Sequence, residues 1–180
     1  MKTLQALLAV FACAALPLHA APTATDLGII GDGTGDLTLD TIDSAVSDTE
    51  LGLYDAAGNL LDQNDDLPGG GLHSAVVVSN LAEGTYYAAV STYNTTFGPA
   101  DFLVFGGRKS GEIVLNYSDG DVAGSATGSL DLAGDDGGVT WFSFEIGVVP
   151  VSALDALTWT TADGEVTITD CDEAASGDLL

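Results

Sequence analysis

The sequence has very few positive charges. Lys2, Arg108 and Lys109 are its three cations against 27 acidic residues, so the formal net charge at pH 7 is −24. A chain this acidic repels nucleic acid and anionic membranes, because both present dense negative charge. Binding to a phosphate backbone is therefore excluded as a main role, and we expect neither a nucleic-acid partner nor membrane attachment through charge.

Cysteine and histidine are equally scarce, with two of each: Cys13 and Cys171, His19 and His73. A zinc site needs several such ligands, and a disulfide framework needs paired cysteines. A Ser-His-Asp triad would have to use His73 in the glycine-rich PGGGLHS, where nothing resembles a nucleophile elbow. We therefore do not expect an enzyme, although a hydrolase with a carboxylate pair stays open in a chain so rich in acids.

Long apolar runs are absent except at the N-terminus. Residues 1–20, MKTLQALLAVFACAALPLHA, have the single cation, apolar run and small closing residues of a secretory signal peptide cleaved near Ala20 or Ala21. A competing interpretation makes Cys13 a lipidated residue, but Phe11 fits that pattern badly. We predict a secreted protein at the cell exterior or surface, without membrane insertion after cleavage, whose formal charge is then 2 − 27 = −25.

The mature region lacks a convincing amphipathic helix. Short runs with period-2 alternation recur instead, each bounded by Gly, Asp or Asn, which is typical of an antiparallel β-sandwich or jelly roll. We therefore predict an all-β fold with a sandwich over residues 21–149. The runs are LTLDTI, ELGLYD, SAVVVS, TYYAAVS, DFLVFG, GEIVLNY, SLDLA, VTWFSFEI and EVTIT.

Two turns sharpen this prediction. Asp55 precedes Ala-Ala-Gly-Asn, so its carboxylate can accept bonds from the turn amides while the chain reverses between two strands. The spacing Leu-x-x-Gly-x-Tyr at Leu81 to Tyr86 resembles a tyrosine corner, whose hydroxyl bonds upstream backbone. Alternation from Tyr86 then places Ala88 and Val90 inward, and predicts that Tyr87, Ala89 and Ser91 face out.

The C-terminal part has two interpretations. Residues 34–39 resemble residues 127–132, an offset of 127 − 34 = 93, so the chain end could be an incomplete second repeat, with 150–180 as its remainder or as an extension. Alternatively, the segment from Trp141 to Ile146 supplies one more strand to a single sandwich. The repeat would fit a fragment of a larger surface protein.

The stretches DTELGLYDAAGNLLDQNDD and LAEGTYYAAVSTYNTTFG carry a family resemblance. The segment from Asp48 to Gly107 resembles the bacterial pre-peptidase C-terminal (PPC)-like family, although the Trp-Phe strand follows the acidic strand here instead of preceding it. The resemblance implies an exported β-sandwich accessory module that is not itself catalytic. Some relatives bind calcium or extracellular matrix polymers, so an extracellular polysaccharide or protein polymer is the expected partner.

Acidic residues cluster within this segment with almost no cations near them. Asp48, Asp55, Asp62, Asp65 and Asp66 are the candidate ligands of a calcium ion at the sandwich edge, because hard cations prefer several converging oxygens. The competing interpretation is a solvated acidic face screened by salt. We expect no other cofactor.

Aromatic residues give a second candidate site. Tyr87, Tyr93 and Phe97 could offer ring faces to a sugar or peptide at the rim of the sandwich. The alternative is that Phe97 fills the core and Tyr93 caps a strand. Together these features predict a secreted, acidic, non-catalytic binding or accessory module.

Overall fold

A computed structural model describes residues 20–120, 122–133, 138–147, 157–161 and 164–168, with side chains described as far as residue 147. These residues form thirteen β-strands. The strands are β1 Thr25–Gly31, β2 Asp36–Asp40, β3 Thr49–Asp55, β4 Leu60–Asn64, β5 Ala75–Ser79, β6 Gly84–Thr92, β7 Thr96–Phe97, β8 Val104–Phe105, β9 Gly111–Ser118, β10 Ala123–Leu130, β11 Thr140–Ile146, β12 Leu157–Thr161 and β13 Gly164–Ile168.

The strands build a sandwich of two main sheets. One sheet has the order β1-β11-β6-β3-β4 and the other β10-β9-β2-β5. Neighbouring strands are antiparallel except β1 and β11, which run parallel. The prediction of an all-β sandwich is confirmed, and the parallel pair makes the larger sheet mixed. Two small hairpins, β7-β8 and β12-β13, form sheets of their own.

The main core lies between the two sheets and follows the alternation of the strands. Leu51 and Leu53 of β3 face Leu37 and Leu39 of β2 in one apolar cluster, and all four side chains are at most 2% exposed. Residues i and i+2 share one face of a strand, so every second residue contributes to this layer. The cluster also contains Tyr86, Ala88 and Val90, as predicted for the inward face of β6.

A second apolar cluster covers the opposite face of the larger sheet. Tyr54, Ala89, Phe97 and Val139 are buried there, and residues including Phe102 and Trp141 pack against them. The cover comes from the segment between β6 and β9, which crosses this outer face. The prediction that Tyr87, Ala89 and Ser91 face outward holds for their direction only: Ala89 and Ser91 are fully buried, and Tyr87 is half-buried.

The tyrosine corner forms as the spacing predicts. The Tyr86 hydroxyl donates to the Ala82 carbonyl oxygen at 2.8 Å, and its ring stacks on Phe144 at 5.8 Å between centroids. The turn after β3 also forms as predicted. The Asp55 carboxylate accepts bonds from the Ala57 and Asn59 amides, both at 2.9 Å.

Some strand predictions were wrong in extent. Within DFLVFG only Val104 and Phe105 are in a strand, because Asp101 and Phe102 take positive φ angles in a turn. SLDLA contributes only its first two residues, to the end of β10. The Trp141 to Ile146 segment lies in β11 beside β6, so it supplies one more strand to this sandwich.

The predicted leader falls almost wholly outside the described residues, as do Cys13 and Cys171. In the part of the chain that the structure describes, no helix has the length and apolarity to cross a membrane. From the predicted extension at 150–180, the β12-β13 hairpin is described, and its two strands pair with each other.

Candidate functional site

Three aspartates converge at one end of the β3-β4 hairpin. Asp48 directly precedes β3 and Asp65 and Asp66 directly follow β4, and the antiparallel pairing of Leu51 with Asn64 brings these two chain ends together. One carboxylate oxygen from each aspartate lies within 4.8 Å of the other two. Asp48 is half-buried, whereas Asp65 and Asp66 are exposed. We call these three residues the acidic triad.

The backbone around Asp48 is fixed by its neighbours. Asp48 has a φ of 66°, in the left-handed region that Asp tolerates better than most residues. Its carbonyl oxygen accepts a bond from the Tyr93 amide at 2.9 Å. Lys109 Nζ lies 3.3 Å from Asp48 Oδ2 and donates to the Ser47 carbonyl oxygen at 2.9 Å. One of the two cations outside the predicted leader therefore partly neutralises the acidic triad.

Buried hydroxyl groups tie the Asp65 side of the triad to the start of β3. Ser74 Oγ lies within hydrogen-bond distance of the carbonyl oxygens of Asp65, at 2.5 Å, and Thr49. The Ser74 amide donates to Thr41 Oγ1 at 3.0 Å, and Thr41 Oγ1 is 2.5 Å from Thr49 Oγ1. Satisfied buried polar groups hold their elements in one arrangement. This network therefore fixes the loop after β4 against β3.

Glu50 is the buried acid of the site. It points to the outer face of the larger sheet, is 5% exposed, and its Oε2 accepts a bond from the Thr95 amide at 3.0 Å. Burial raises the pKa of Glu50; the Thr95 amide opposes this effect, and the negative charges of Asp65 and Asp48 add to it. Burial, and then the charges of Asp66 and Asp48, also raise the pKa of Asp65. Protonation of these groups is thus electrostatically linked.

A groove of about 540 Å³ runs beside the triad. One wall comes from β4 and the residues after it, with Gln63, Asp65 and Asp66. The other comes from the segment after β6, and Glu50 lies between them. The full lining is Glu50, Gln63, Asn64, Asp65, Asp66, Tyr93, Asn94, Thr95 and Phe97. We call it the acidic groove.

The predicted metal ligands are divided by the fold. Asp48, Asp65 and Asp66 are brought together, and the structure does not bring Asp55 or Asp62 into that group. Asp55 ends β3, about 23 Å along the strand from Asp48 at 3.3 Å per residue. Its oxygens accept bonds from the turn that follows. Asp62 pairs with Leu53 in the middle of the hairpin.

The predicted aromatic contacts are divided as well. Tyr93 is 56% exposed and lines the acidic groove. Phe97 also borders the groove but is 8% exposed, because its ring packs in the second apolar cluster. Tyr87 packs edge-on against Phe102, with ring centroids 5.1 Å apart. Of the three, Tyr93 presents the most accessible ring.

Sequence reasoning missed Glu50. Its position in E-L-G-L-Y places it on the same strand face as Gly52 and Tyr54, opposite the leucines. Alternation alone assigns the face opposite a row of leucines to solvent, where an acid needs no explanation. The signal that could have identified Glu50 is Tyr54, a large aromatic residue on this same face.

Comparisons with known proteins add no assignment. Neither the protein-family models, nor the curated proteins, nor the solved structures contain a match to this chain. The PPC-like resemblance consequently stays a prediction from the sequence.

Proposed function

We propose that this protein is an exported, non-catalytic accessory module that acts by binding at the cell exterior and takes up calcium at the acidic triad. The observation that carries the calcium site is the convergence of Asp48, Asp65 and Asp66 within 4.8 Å. Carboxylates held this close repel one another, and a divalent cation between them would replace that repulsion with attraction.

The donor set fits a hard cation. All three groups are carboxylates, and Ca²⁺ takes about 6–8 oxygen ligands in flexible geometry, from carboxylates, carbonyls and water. Mg²⁺ demands near-ideal octahedral geometry, keeps several of its waters and usually binds through one or two carboxylates, so a set of three converging carboxylates suits Ca²⁺ better. No histidine or cysteine belongs to the triad, which disfavours zinc.

The accessory role at the cell exterior is supported by features of the sequence. The first twenty residues are typical of a signal peptide, and the resemblance of residues 48–107 to the PPC-like family implies an exported module that assists other proteins. The high negative charge is compatible with an extracellular polysaccharide or protein polymer as partner, provided that this partner is not itself strongly anionic.

Thermal melts in calcium, magnesium and chelator, matched for ionic strength with sodium chloride, test the calcium site. At a calcium concentration of about 100 times the Kd, binding stabilises the native state by about 2.7 kcal/mol. At about 2–4 °C per kcal/mol this raises the Tm by about 5–11 °C. Magnesium should raise it much less.

Matched variants locate the effect. Asp65→Asn or Asp66→Asn should remove the calcium-specific rise, while Asp62→Asn, which removes the same charge outside the triad, should keep it. Equal melts in calcium and in matched sodium chloride would mean that the triad is a solvated acidic face.

One observation favours a second candidate, the hydrolase with a carboxylate pair. Glu50 borders a groove and has a raised pKa, as a general acid requires, and the carboxyl groups of Asp65 and Asp66 line the same groove. A panel of chromogenic glycosides tests this candidate. Turnover that disappears in Glu50→Gln would replace the non-catalytic proposal with an enzyme.

A further inference from the structure

The acidic groove is a concave site of a size that suits a small ligand or a protruding side chain. Its volume of about 540 Å³ lies within the usual range of ligand pockets, about 300–1,000 Å³. It shares Asp65 and Asp66 with the acidic triad but extends past them to Glu50 and to the segment after β6. The groove is therefore larger than the proposed metal site, and the residues beyond that site could contact a ligand.

The charge of the groove is one-sided. Glu50, Asp65 and Asp66 line it, and none of its lining residues is a lysine or arginine. Lys109 makes its ion pair with Asp48 instead. Glu50 accepts a bond from the Thr95 amide, but no lining residue gives this buried carboxylate a cation. The groove thus complements a cationic group brought by a ligand.

An aromatic ring and carboxamides accompany these acids. The Tyr93 side chain is 56% exposed at the groove, and Gln63 and Asn94 add further polar contacts. A guanidinium group stacks on aromatic faces, forms bidentate bonds to carboxylates and is more weakly hydrated than an ammonium group. Arginine therefore matches the groove better than lysine does.

The walls of the groove are already held in place. The Thr95 amide donates to Glu50 Oε2 at 3.0 Å, and the Tyr93 amide donates to the Asp48 carbonyl oxygen at 2.9 Å. Thr95 Oγ1 also donates to the Thr92 carbonyl oxygen at 2.6 Å. A preformed site does not have to be ordered when the ligand binds, which favours affinity.

We propose that the acidic groove binds an arginine side chain of a partner protein, with the guanidinium group between Glu50 and the Asp65-Asp66 pair and against the Tyr93 ring. The proposal deepens the binding role above by naming a partner chemistry. It does not require bound calcium, because the carboxylates themselves receive the guanidinium group. Calcium binding at Asp65 and Asp66 would weaken it through competition for the same carboxylates.

Binding of a short peptide, acetyl-Gly-Arg-Gly-amide, to the full chain tests this proposal by calorimetry or NMR in chelator. The control peptide replaces arginine with citrulline, which has nearly the same shape and no charge. We expect the arginine peptide to bind at least about tenfold tighter, because hydrogen bonds to charged groups are about twice as strong as neutral ones. Because the chelator removes calcium, this result does not depend on whether calcium binds in the thermal melts.

Two variants and a charge-matched control locate the binding. Tyr93→Ala should weaken the arginine peptide about 2–5-fold through loss of the ring contact, and Glu50→Gln about tenfold or more. Glu112→Gln, at an exposed position of the smaller sheet, should leave binding unchanged. Equal binding of the two peptides, or equal weakening by Glu112→Gln and Glu50→Gln, would overturn the proposal. If Glu50→Gln fails to fold, the comparison of the arginine and citrulline peptides and the effect of Tyr93→Ala still test the proposal.

Discussion

Replacement of Gly52 by alanine tests whether the outer face of the larger sheet is packed as tightly as the structure shows. A Cβ atom at Gly52 would lie 2.6 Å from Phe97 Cδ1 and 2.9 Å from Phe97 Cε1. Carbon atoms do not approach so closely, so the Phe97 ring must shift. Overpacking of this kind costs about 1–3 kcal/mol, against about 0.5–1 kcal/mol gained from replacing glycine within a strand. We expect Gly52→Ala to lower the free energy of unfolding by about 1–2 kcal/mol.

Removal of the ring should reverse the sign of this effect. Phe97→Ala alone costs about 3–5 kcal/mol because the ring is 8% exposed and leaves a cavity. In that background the added methyl group of Gly52→Ala meets no ring, so it should be neutral or stabilise by up to about 1 kcal/mol. The coupling energy between the two changes is then about 1–3 kcal/mol.

Equilibrium urea denaturation of the four proteins measures this cycle. Gly147→Ala serves as control, because nothing lies within 4 Å of a Cβ atom there and its φ is not in the left-handed region. Equal costs of Gly52→Ala in both backgrounds would refute the packing argument. Phe97 would then not be seated over Gly52, and its ring would be free to contact a ligand in the acidic groove.

Three further predictions concern single side chains. Tyr86→Phe should lower the free energy of unfolding, measured by urea denaturation, by about 0.5–1.5 kcal/mol, because it removes the hydrogen bond to the Ala82 carbonyl oxygen. An unchanged free energy of unfolding would mean that this hydrogen bond does not stabilise the fold. Glu50→Gln should gain stability over wild type as the pH rises from about 4.5, because the folded state raises the Glu50 pKa and holds its proton more tightly than the unfolded state. A difference in the free energy of unfolding between Glu50→Gln and wild type that stays constant from about pH 4 to about pH 7 would contradict this prediction. Lys109→Gln should tighten calcium binding in titrations several-fold by removing a charge 3.3 Å from Asp48; weaker binding would show that Lys109 positions Asp48.

The architecture was predictable where one face of a strand meets a core. In β2 and in the first half of β9 burial alternates along the strand, because the opposite sheet buries every second side chain. Strand β10, AGSATGSL, was mostly missed because its inner face carries small residues. At Gly128 a Cβ atom would lie 3.1 Å from Phe142 Cζ, so the bulk that fills this part of the core comes from β11.

The covered outer face was not predictable from alternation. Leu51 and Leu53 predict one buried face of β3, but Glu50 and Gly52 on the other face are not apolar side chains and do not predict burial. Their burial depends on a segment more than forty residues later in the chain, which crosses the sheet and seats Phe97 over Gly52. Within β3, Tyr54 is the residue whose type indicates that this outer face is covered.

The acids and the aromatics looked like two separate candidate sites because they are about thirty residues apart in the sequence. The sheet order explains why they meet. Strand β3 lies between β4 and β6, so the chain leaving β4 at Asp65 and the chain leaving β6 at Tyr93 emerge at the same end of the sheet, on either side of Glu50. Strand β3 therefore supplies Glu50 at the floor of the groove, and Asp48, the residue just before this strand, belongs to the acidic triad. A change at Glu50 should consequently affect arginine binding and, through its charge, calcium binding together.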